Sequence, residues 1–318
     1  MEDKRDKKKT LKNLGLSSSI IQNFIHCPVL QKEVLEKLDP KPNENFIDCT
    51  INGGGHAMAI LEKIAPKGKI LGIELDSDVY KKIKSRLADF SKFNCQIQKR
   101  LILVNNSYTN LKKIVENHNF KPVHGILLDL GMSSWHLEKS GRGFTFLKDE
   151  VLDMRYDLGN PLNAEKIVNQ WPEEKIVRIL KEYGEEKFAK RIAKRIVRER
   201  ERRRIKTTFQ LAEIIKKSIP RKKRRKINPA TLTFQALRIA VNDELNNLKK
   251  VLPQALEILE KNGRIAIISF HSLEDRIVKM FFKKNLQPLT KKPITPSQKE
   301  IKINPRCRSA KLRAAIKI

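Results

Sequence analysis

The chain has 318 residues, 40% of them hydrophobic and 32% charged, enough apolar material for a packed core and too much for wholesale disorder. Lys and Arg number 67 against 36 Asp and Glu, a formal net charge of +31 that draws polyanions, while an aromatic content of only 6% argues against a binder built on repeated base-stacking platforms. Cys27, Cys49, Cys95 and Cys307 show no C-x-x-C spacing, which speaks against a zinc site or disulfide framework, and no apolar run reaches the ~20 residues that a bilayer span needs.

The start, Met1-Glu2-Asp3-Lys4-Arg5-Asp6, mixes acids with bases and lacks an apolar stretch, unlike a secretory or transit signal. Residues 1–24 read as a charged extension of a cytoplasmic protein. Val29, Val34, Leu35 and Leu38 then suggest a helix over 28–38, which Pro40 and Pro42 stop. A short strand at Phe46-Ile47-Asp48 opens into Asn52-Gly53-Gly54-Gly55-His56 and a helix to Ile64. Strands over 69–75, 96–104 and 125–130 alternate with helices over 79–87 and 111–117. That alternation predicts right-handed crossovers and a parallel sheet covered on both faces. Between about Gly141 and Glu244 only helical periodicity is found, after which the alternation resumes with a helix over 245–259, a strand over 264–270 and a helix over 276–282. Residues 310–318 suit a last strand. The expected architecture is one α/β domain, 25–140 with 245–318, interrupted by an all-helical insertion over 141–244 that would serve as the substrate domain.

Three candidate site positions fall at strand ends. The glycine run lets backbone approach a ligand near the positive end of a helix. Asp48 precedes it, Glu74 ends the second strand where an acid can accept both ribose hydroxyls, and Asp129 ends the fourth, at the edge where open α/β sheets bind ligands. The loop is not G-x-G-x-x-G, because Asn52 occupies the first glycine position, and no phosphate-cradling G-x-x-x-x-G-K-[ST] occurs. S-adenosylmethionine, with an ammonium, a sulfonium and a ribose, suits this layout. A tight turn with two solvated acids is the bland alternative.

A family resemblance rests on His26-Cys27-Pro28-Val29-Leu30, Asp48 to His56, Asp129-Leu130-Gly131-Met132-Ser133-Ser134, Arg142-Gly143-Phe144-Thr145-Phe146 and Asp153-Met154-Arg155. It continues through Tyr183-Gly184-Glu185-Glu186, Phe234 to Arg238, Val241 to Leu245, Ile267 to Arg276, and Asn304-Pro305-Arg306. These blocks resemble, in order over about residues 25 to 313, the bacterial enzymes that methylate N4 of a cytosine in small-subunit ribosomal RNA. The resemblance implies a Rossmann-type S-adenosylmethionine-dependent methyltransferase sheet with the helical domain inserted. It implies cofactor contacts at Gly53, Gly54, Gly55, His56, Glu74, Tyr108, Asp129 and His136. It further implies a cytosine in the decoding region of 16S RNA, the assembled small subunit as partner and, by analogy alone, a homodimer. Asn52 stands where the family has glycine, Ala57 where it has serine, Glu74 where it has aspartate, and Trp135-His136 differ from the usual pair.

Cytosine N4 is a poor nucleophile because its lone pair is delocalised into the ring. The Asp/Asn-Pro-Pro-Tyr loop of many amino-methyltransferases is replaced here by Asp129 to Ser134, so Asp129, backbone carbonyls near Leu130 and Ser133 are the candidate amine-orienting groups. His271 either accepts the product proton, contacts RNA or caps a helix. His118 and His124 have no spaced partners for a metal. Arg142 and Arg155 are candidates for phosphate or carboxylates, and Phe144 or Phe146 either stacks on a nucleotide or forms a hydrophobic plug joining the two domains. Lys187 to Lys206 places Phe188, Ile192 and Ile196 on one helix face with cations around the rest, and Arg221-Lys222-Lys223-Arg224-Arg225-Lys226 follows as a loop. Both runs read as an RNA-phosphate surface or as solvated faces. A methyltransferase acting on another RNA, or a non-catalytic RNA-binding assembly factor with a decayed cofactor loop, are the competing functions.

Overall fold

The computed structural model describes residues 28–91, 99–220 and 228–318. The expected N-terminal extension, Cys27, Cys95 and the cationic run 221–226 lie outside these residues. The described chain forms two compact units: the residues up to Ser133 together with Asn247–Ile318, and Ser134–Asn246. The second unit therefore starts seven residues before the expected position 141.

The first unit carries a sheet of β1 (Phe46–Asp48), β2 (Ile70–Glu74), β3 (Leu101–Asn105), β4 (Val123–Asp129), β5 (Leu259–Ser269), β6 (Gln287–Pro288) and β7 (Lys311–Ile316). Their order is β3-β2-β1-β4-β5-β7-β6. The neighbours from β3 to β5 are parallel, whereas β7 runs antiparallel to both β5 and β6. The expected parallel sheet thus contains one reversed strand, β7, between β5 and β6, a direction that apolar periodicity does not encode. The helices, in chain order, are α1 (Gln31–Leu38), α2 (Gly55–Lys63), α3 (Ser77–Ser91), α4 (Leu111–Asn117), α5 (Ser134–Glu138), α6 (Ala164–Gln170), α7 (Glu173–Glu182), α8 (Ala189–Arg202), α9 (Thr208–Ser218), α10 (Thr231–Asn242), α11 (Glu244–Ile258), α12 (Ser272–Asn285) and α13 (Gln298–Ile303). Of these, α5 to α10 lie in the second unit and α11 leads out of it.

Central strands covered on both faces read as unbroken apolar runs. That is why Phe46-Ile47 and Ile70-Leu71-Gly72-Ile73 are buried throughout. Ile47, Leu71, Ile73, Ile126 and Ile265 form one core with Leu111 and Ile114 of α4, Val251 of α11 and Phe282 of α12. In the second unit, α8 buries Ala189, Ile192, Ala193 and Ile196 on one face, while Phe188 falls at its N-cap. No helix among the described residues is long and apolar enough to cross a membrane.

The packing of β1 on β4 depends on a missing side chain. Phe46 is the register partner of Gly125. A Cβ at Gly125 would stand 2.1 Å from Phe46 Cε1. Gly125→Ala is therefore expected to cost about 1–3 kcal/mol by overpacking. Urea unfolding should show the loss, and adding Phe46→Leu should recover part of it; equal stability of Gly125→Ala and the parent chain would refute this packing account.

Candidate cofactor and active site

Three carboxylates meet at the carboxyl edge of β2, β1 and β4. Asp48 ends β1, Glu74 ends β2 and Asp129 ends β4. The sheet order changes direction between β1 and β4, the place where open α/β sheets bind ligands. Backbone donors hold all three. Thr50 N–H donates to Asp48 Oδ1 at 3.1 Å and Gly131 N–H to Asp129 Oδ1 at 3.3 Å. Glu74 receives Asn52 N–H on Oε2 at 3.1 Å and Asp76 N–H on Oε1 at 2.9 Å. The Thr50 hydroxyl in turn accepts Asp129 N–H at 2.6 Å, tying the β1 loop to the end of β4.

The loop conformation answers the question raised by Asn52. Asn52 has φ 47° and Gly54 φ 81°, both in the left-handed region. Asparagine adopts that region more readily than other non-glycine residues. Its side-chain amide also donates to the Thr50 carbonyl at 3.0 Å, so the loop keeps its turn without the first glycine. Gly54 caps α2 without a side-chain hydrogen bond, so no N-cap side chain competes with a ligand at the positive start of the helix. Gln31, outside the expected site, donates from Nε2 to the Gly55 carbonyl at 3.0 Å and braces this turn from α1.

All three acids are buried, and desolvation disfavours their charged forms. Burial is the main cause that raises Asp48 to about 7, helped by Asp129; Thr50 N–H opposes it. Glu74 rises to about 8, again by burial first, with Asp76 and Asp48 adding repulsion. Asp129 rises to about 7 through burial and the nearby Glu274. His56, on the first turn of α2, has Nε2 3.8 Å from Asp129 Oδ2. Buried acids with mutual repulsion fit a cationic ligand, the uncapped helix start fits its carboxylate, and Glu74 has lone pairs left for ribose hydroxyls. S-adenosylmethionine fits this donor set. Tyr108 opens a 3₁₀ turn just beyond β3 and packs partly buried on the core at the same edge. Ser133 is buried as the last residue of the first unit before Ser134.

His271 proves to be the N-cap of α12. Its ring accepts Glu274 N–H at 3.4 Å, and Nε2 lies 3.1 Å from Glu274 Oε1. Glu274 closes the capping box by accepting His271 N–H on Oε2 at 3.4 Å, and the same oxygen accepts Phe270 N–H at 2.8 Å. Of the alternatives open for His271, the geometry thus displays the cap. Glu274 was not singled out, although its spacing from His271 is that of a capping box. His118 and His124 likewise bond to backbone groups, of Ile114 and Asn45.

The remaining candidates belong to the second unit. His136 packs edge-on to Tyr156 at 4.9 Å and against Phe144 at 5.1 Å. Phe144 stacks on Tyr156, and Phe146 meets Phe234 edge-on at 5.3 Å. These phenylalanines are packing elements rather than surface platforms. Arg142 and Arg155, expected to meet phosphate or carboxylates, are turned to internal partners, a carboxylate in the case of Arg155. Buried Arg142 bonds the carbonyls of Arg155 and Tyr156 at 3.3 and 3.4 Å. Arg155 grips Asp153 through two 2.8 Å bonds and the carbonyls of Leu158 and Asn160. Asn242 completes this knot, accepting Tyr156 N–H and donating to the Met154 carbonyl, where Met154 sits at φ 65°. Arg221 to Lys226 fall outside the described residues.

Sheet order, reversed last strand and acid-lined glycine turn define a Rossmann-type S-adenosylmethionine-dependent methyltransferase. Comparison with known proteins narrows the class. The chain belongs to the MraW methylase family, whose family model matches residues 23–318. A ribosomal RNA small subunit methyltransferase H of Clostridium botulinum (strain Kyoto / Type A2) is 43% identical over 315 residues, covering 93% of this chain and 99% of the relative. The protein of the same name from Heliobacterium mobile is 44% identical over 317 residues, with 93% and 99% covered. That of Symbiobacterium thermophilum is 42% identical over 316 residues, with 93% and 97% covered.

The raised carboxyls predict that cofactor affinity depends on pH. A carboxyl whose folded value exceeds its unfolded one favours folding most below the unfolded value, about 4, and that contribution is lost as pH rises through about 7 to 8. A cationic ligand needs the ionised forms, so its affinity should move the opposite way. Between pH 6 and 7.5, below the titration of the ligand's own amino group, calorimetry should show S-adenosylmethionine binding tightening several-fold while the ligand-free protein melts at a lower temperature. Asp48→Asn should flatten both trends, and a pH-independent affinity would contradict this electrostatic account.

Proposed function

We propose that this methyltransferase transfers the methyl group of S-adenosylmethionine to the exocyclic N4 of a cytosine in the decoding region of 16S ribosomal RNA, with the assembled small subunit in the cytoplasm as substrate and a homodimer as the working form. Two things support the reading: the family membership, and Asp129 held at the end of β4 among the cofactor acids. When bound, S-adenosylmethionine supplies a methyl group on a sulfonium that leaves as a neutral thioether. The protein's part is to align the amine, exclude water and handle its protons.

Asp129 fits that part. Its Oδ1 is fixed by Gly131 N–H, and a carboxyl near pH 7 can accept an N4–H bond and then its proton. Ser133 and the carbonyl of Leu130 are the further proposed acceptors, while His271 acts by fixing the start of α12 beside β5. Glu74, Gly53, Gly54, Gly55, His56, Asp48 and Tyr108 form the proposed cofactor contacts of the first unit. The intact turn at Asn52 favours a working enzyme over a decayed binding fold.

The decisive experiment incubates the protein with unmethylated small subunits and labelled S-adenosylmethionine, then identifies the product nucleoside by mass spectrometry. N4-methylcytidine at one decoding-region position is expected; label on another RNA or none would reject the reading. In the same assay Asp129→Asn should lower turnover about 10²-fold while cofactor affinity changes only several-fold. Full turnover in this variant would remove Asp129 from the proposed role.

RNA affinity is expected to come from phosphate contacts, including Arg221, Lys222, Lys223, Arg224, Arg225 and Lys226. Neutralising this run should weaken RNA binding and reduce its salt dependence while S-adenosylmethionine binding stays intact. Loss of both would indicate misfolding instead.

A further inference from the structure

Within the second unit, three large apolar side chains face solvent on two segments that are bonded to each other. Leu147 is 77% exposed, Val151 61% and Phe209 46%. Phe209 is the one aromatic ring among the exposed large apolar side chains of the described residues. The segment carrying Leu147 and Val151 pairs with the start of α9 through the Val151–Thr207 bridge. Buried Thr208 reinforces the pairing, its hydroxyl donating to the Lys148 carbonyl at 2.6 Å and accepting Glu150 N–H at 3.1 Å. Phe209 N–H donates to Asp149 Oδ1 at 3.3 Å, and Thr207 with Gln210 forms a capping box at the start of α9. Phe209 is therefore presented from a braced backbone rather than from a loose loop.

The surroundings are cationic. Arg202, Arg203 and Lys206 are exposed in the few residues before Thr207. On α8, Lys190, Arg191, Lys194 and Arg198 are exposed, and no ion pair among the described residues neutralises them. The two acids beside the apolar residues are engaged with backbone: Asp149 accepts from Phe209, and Glu150 accepts Gly143 N–H at 2.9 Å. A second copy of a chain with net charge +31 would bring like charges together here, whereas a polynucleotide brings the opposite charge and flat apolar bases.

We infer that the surface carried by Leu147, Val151 and Phe209 is a docking site for an unpaired nucleobase of the RNA substrate, with Phe209 as its stacking face and the exposed cations before Thr207 meeting the adjoining phosphates. The inference rests on the RNA substrate proposed above and adds a recognition element: a paired stem offers no free base face, so this site selects a loop or bulge.

The test compares two small-subunit RNA fragments, one with an unpaired loop and one a full duplex of equal length. Phe209→Ala should weaken loop-RNA binding about tenfold, leave duplex binding and S-adenosylmethionine affinity unchanged, and be rescued by Phe209→Trp. Leu147→Ser with Val151→Ser should show the same preference for loop RNA. Unchanged loop binding, or equal losses on both RNAs, would overturn the inference and leave the proposed methylation standing. A shift in sedimentation of Phe209→Ala from dimer to monomer would overturn it in favour of a second copy as the occupant. Failure of the wild-type chain to bind the loop fragment would also overturn the inference, while label transfer to small subunits decides the RNA substrate separately.

Discussion

The burial of three acids at one sheet edge is the constraint around which the first unit is organised. Isolated carboxylates removed from water would simply take up protons, and the raised values of Asp48, Glu74 and Asp129 show how near that limit they stand. Backbone N–H groups from Thr50, Asn52, Asp76 and Gly131 hold them short of it. Those donors are available only because the chain turns sharply after each strand. The left-handed residues Asn52 and Gly54 follow from this requirement, as does Gly131, where a Cβ would lie 2.6 Å from the Phe270 ring. Binding and folding are therefore opposed in this region: the arrangement that attracts a cation is one that a ligand-free protein would relieve by protonation.

Much of this was legible in the sequence, for identifiable reasons. Buried parallel strands leave continuous apolar runs, and strand-end acids stand out because the residues before them are so uniformly apolar, as in Ile70-Leu71-Gly72-Ile73-Glu74. Helical spacing at Ile192 and Ile196 exposed the amphipathic face of α8. Other features left no such trace. Strand direction has no periodic signature, so the antiparallel β7 could not be read, and β6 spans only two residues. Gln31 reaches Gly55 across 24 positions, a contact that local pattern cannot reveal. His271 illustrates a subtler limit, since a sheet-edge histidine is spelled alike whether it moves protons or caps a helix. Only the placement of Glu274 separates the two.

The second unit shows why residue type alone misassigns cations. Arg142, Arg155 and Arg238 lie in motif blocks, and each makes internal bonds: Arg142 to two carbonyls, Arg155 to Asp153, Arg238 to Glu244 in a bidentate pair of 2.8 and 2.9 Å. Arg142 and Arg155 brace a segment that has almost no regular structure of its own and includes Met154 in a left-handed conformation. A stretch without ladder or helix bonds must satisfy its carbonyls otherwise, and guanidinium groups with several donors in one plane do so efficiently. The same logic applies to Arg200, whose guanidinium donates to the carbonyls of Val168 and Trp171 at the end of α6.

Among the described residues, the cations behind the net charge of +31 therefore fall into two populations with different consequences. Cations that hold the fold together are desolvated or chelated, and neutralising them removes structure before it touches any ligand. Cations on the outer arc of α8 remain hydrated and exchangeable, which is the state from which counterion release and phosphate contact are thermodynamically productive. Composition announces an affinity for polyanions, but only exposure and pairing show which residues can express it. By that criterion the arginines nearest the motif blocks are poor candidates. The less conspicuous Lys190, Arg191, Lys194 and Arg198 are better ones, because the buried isoleucines beneath them fix where their charges are displayed.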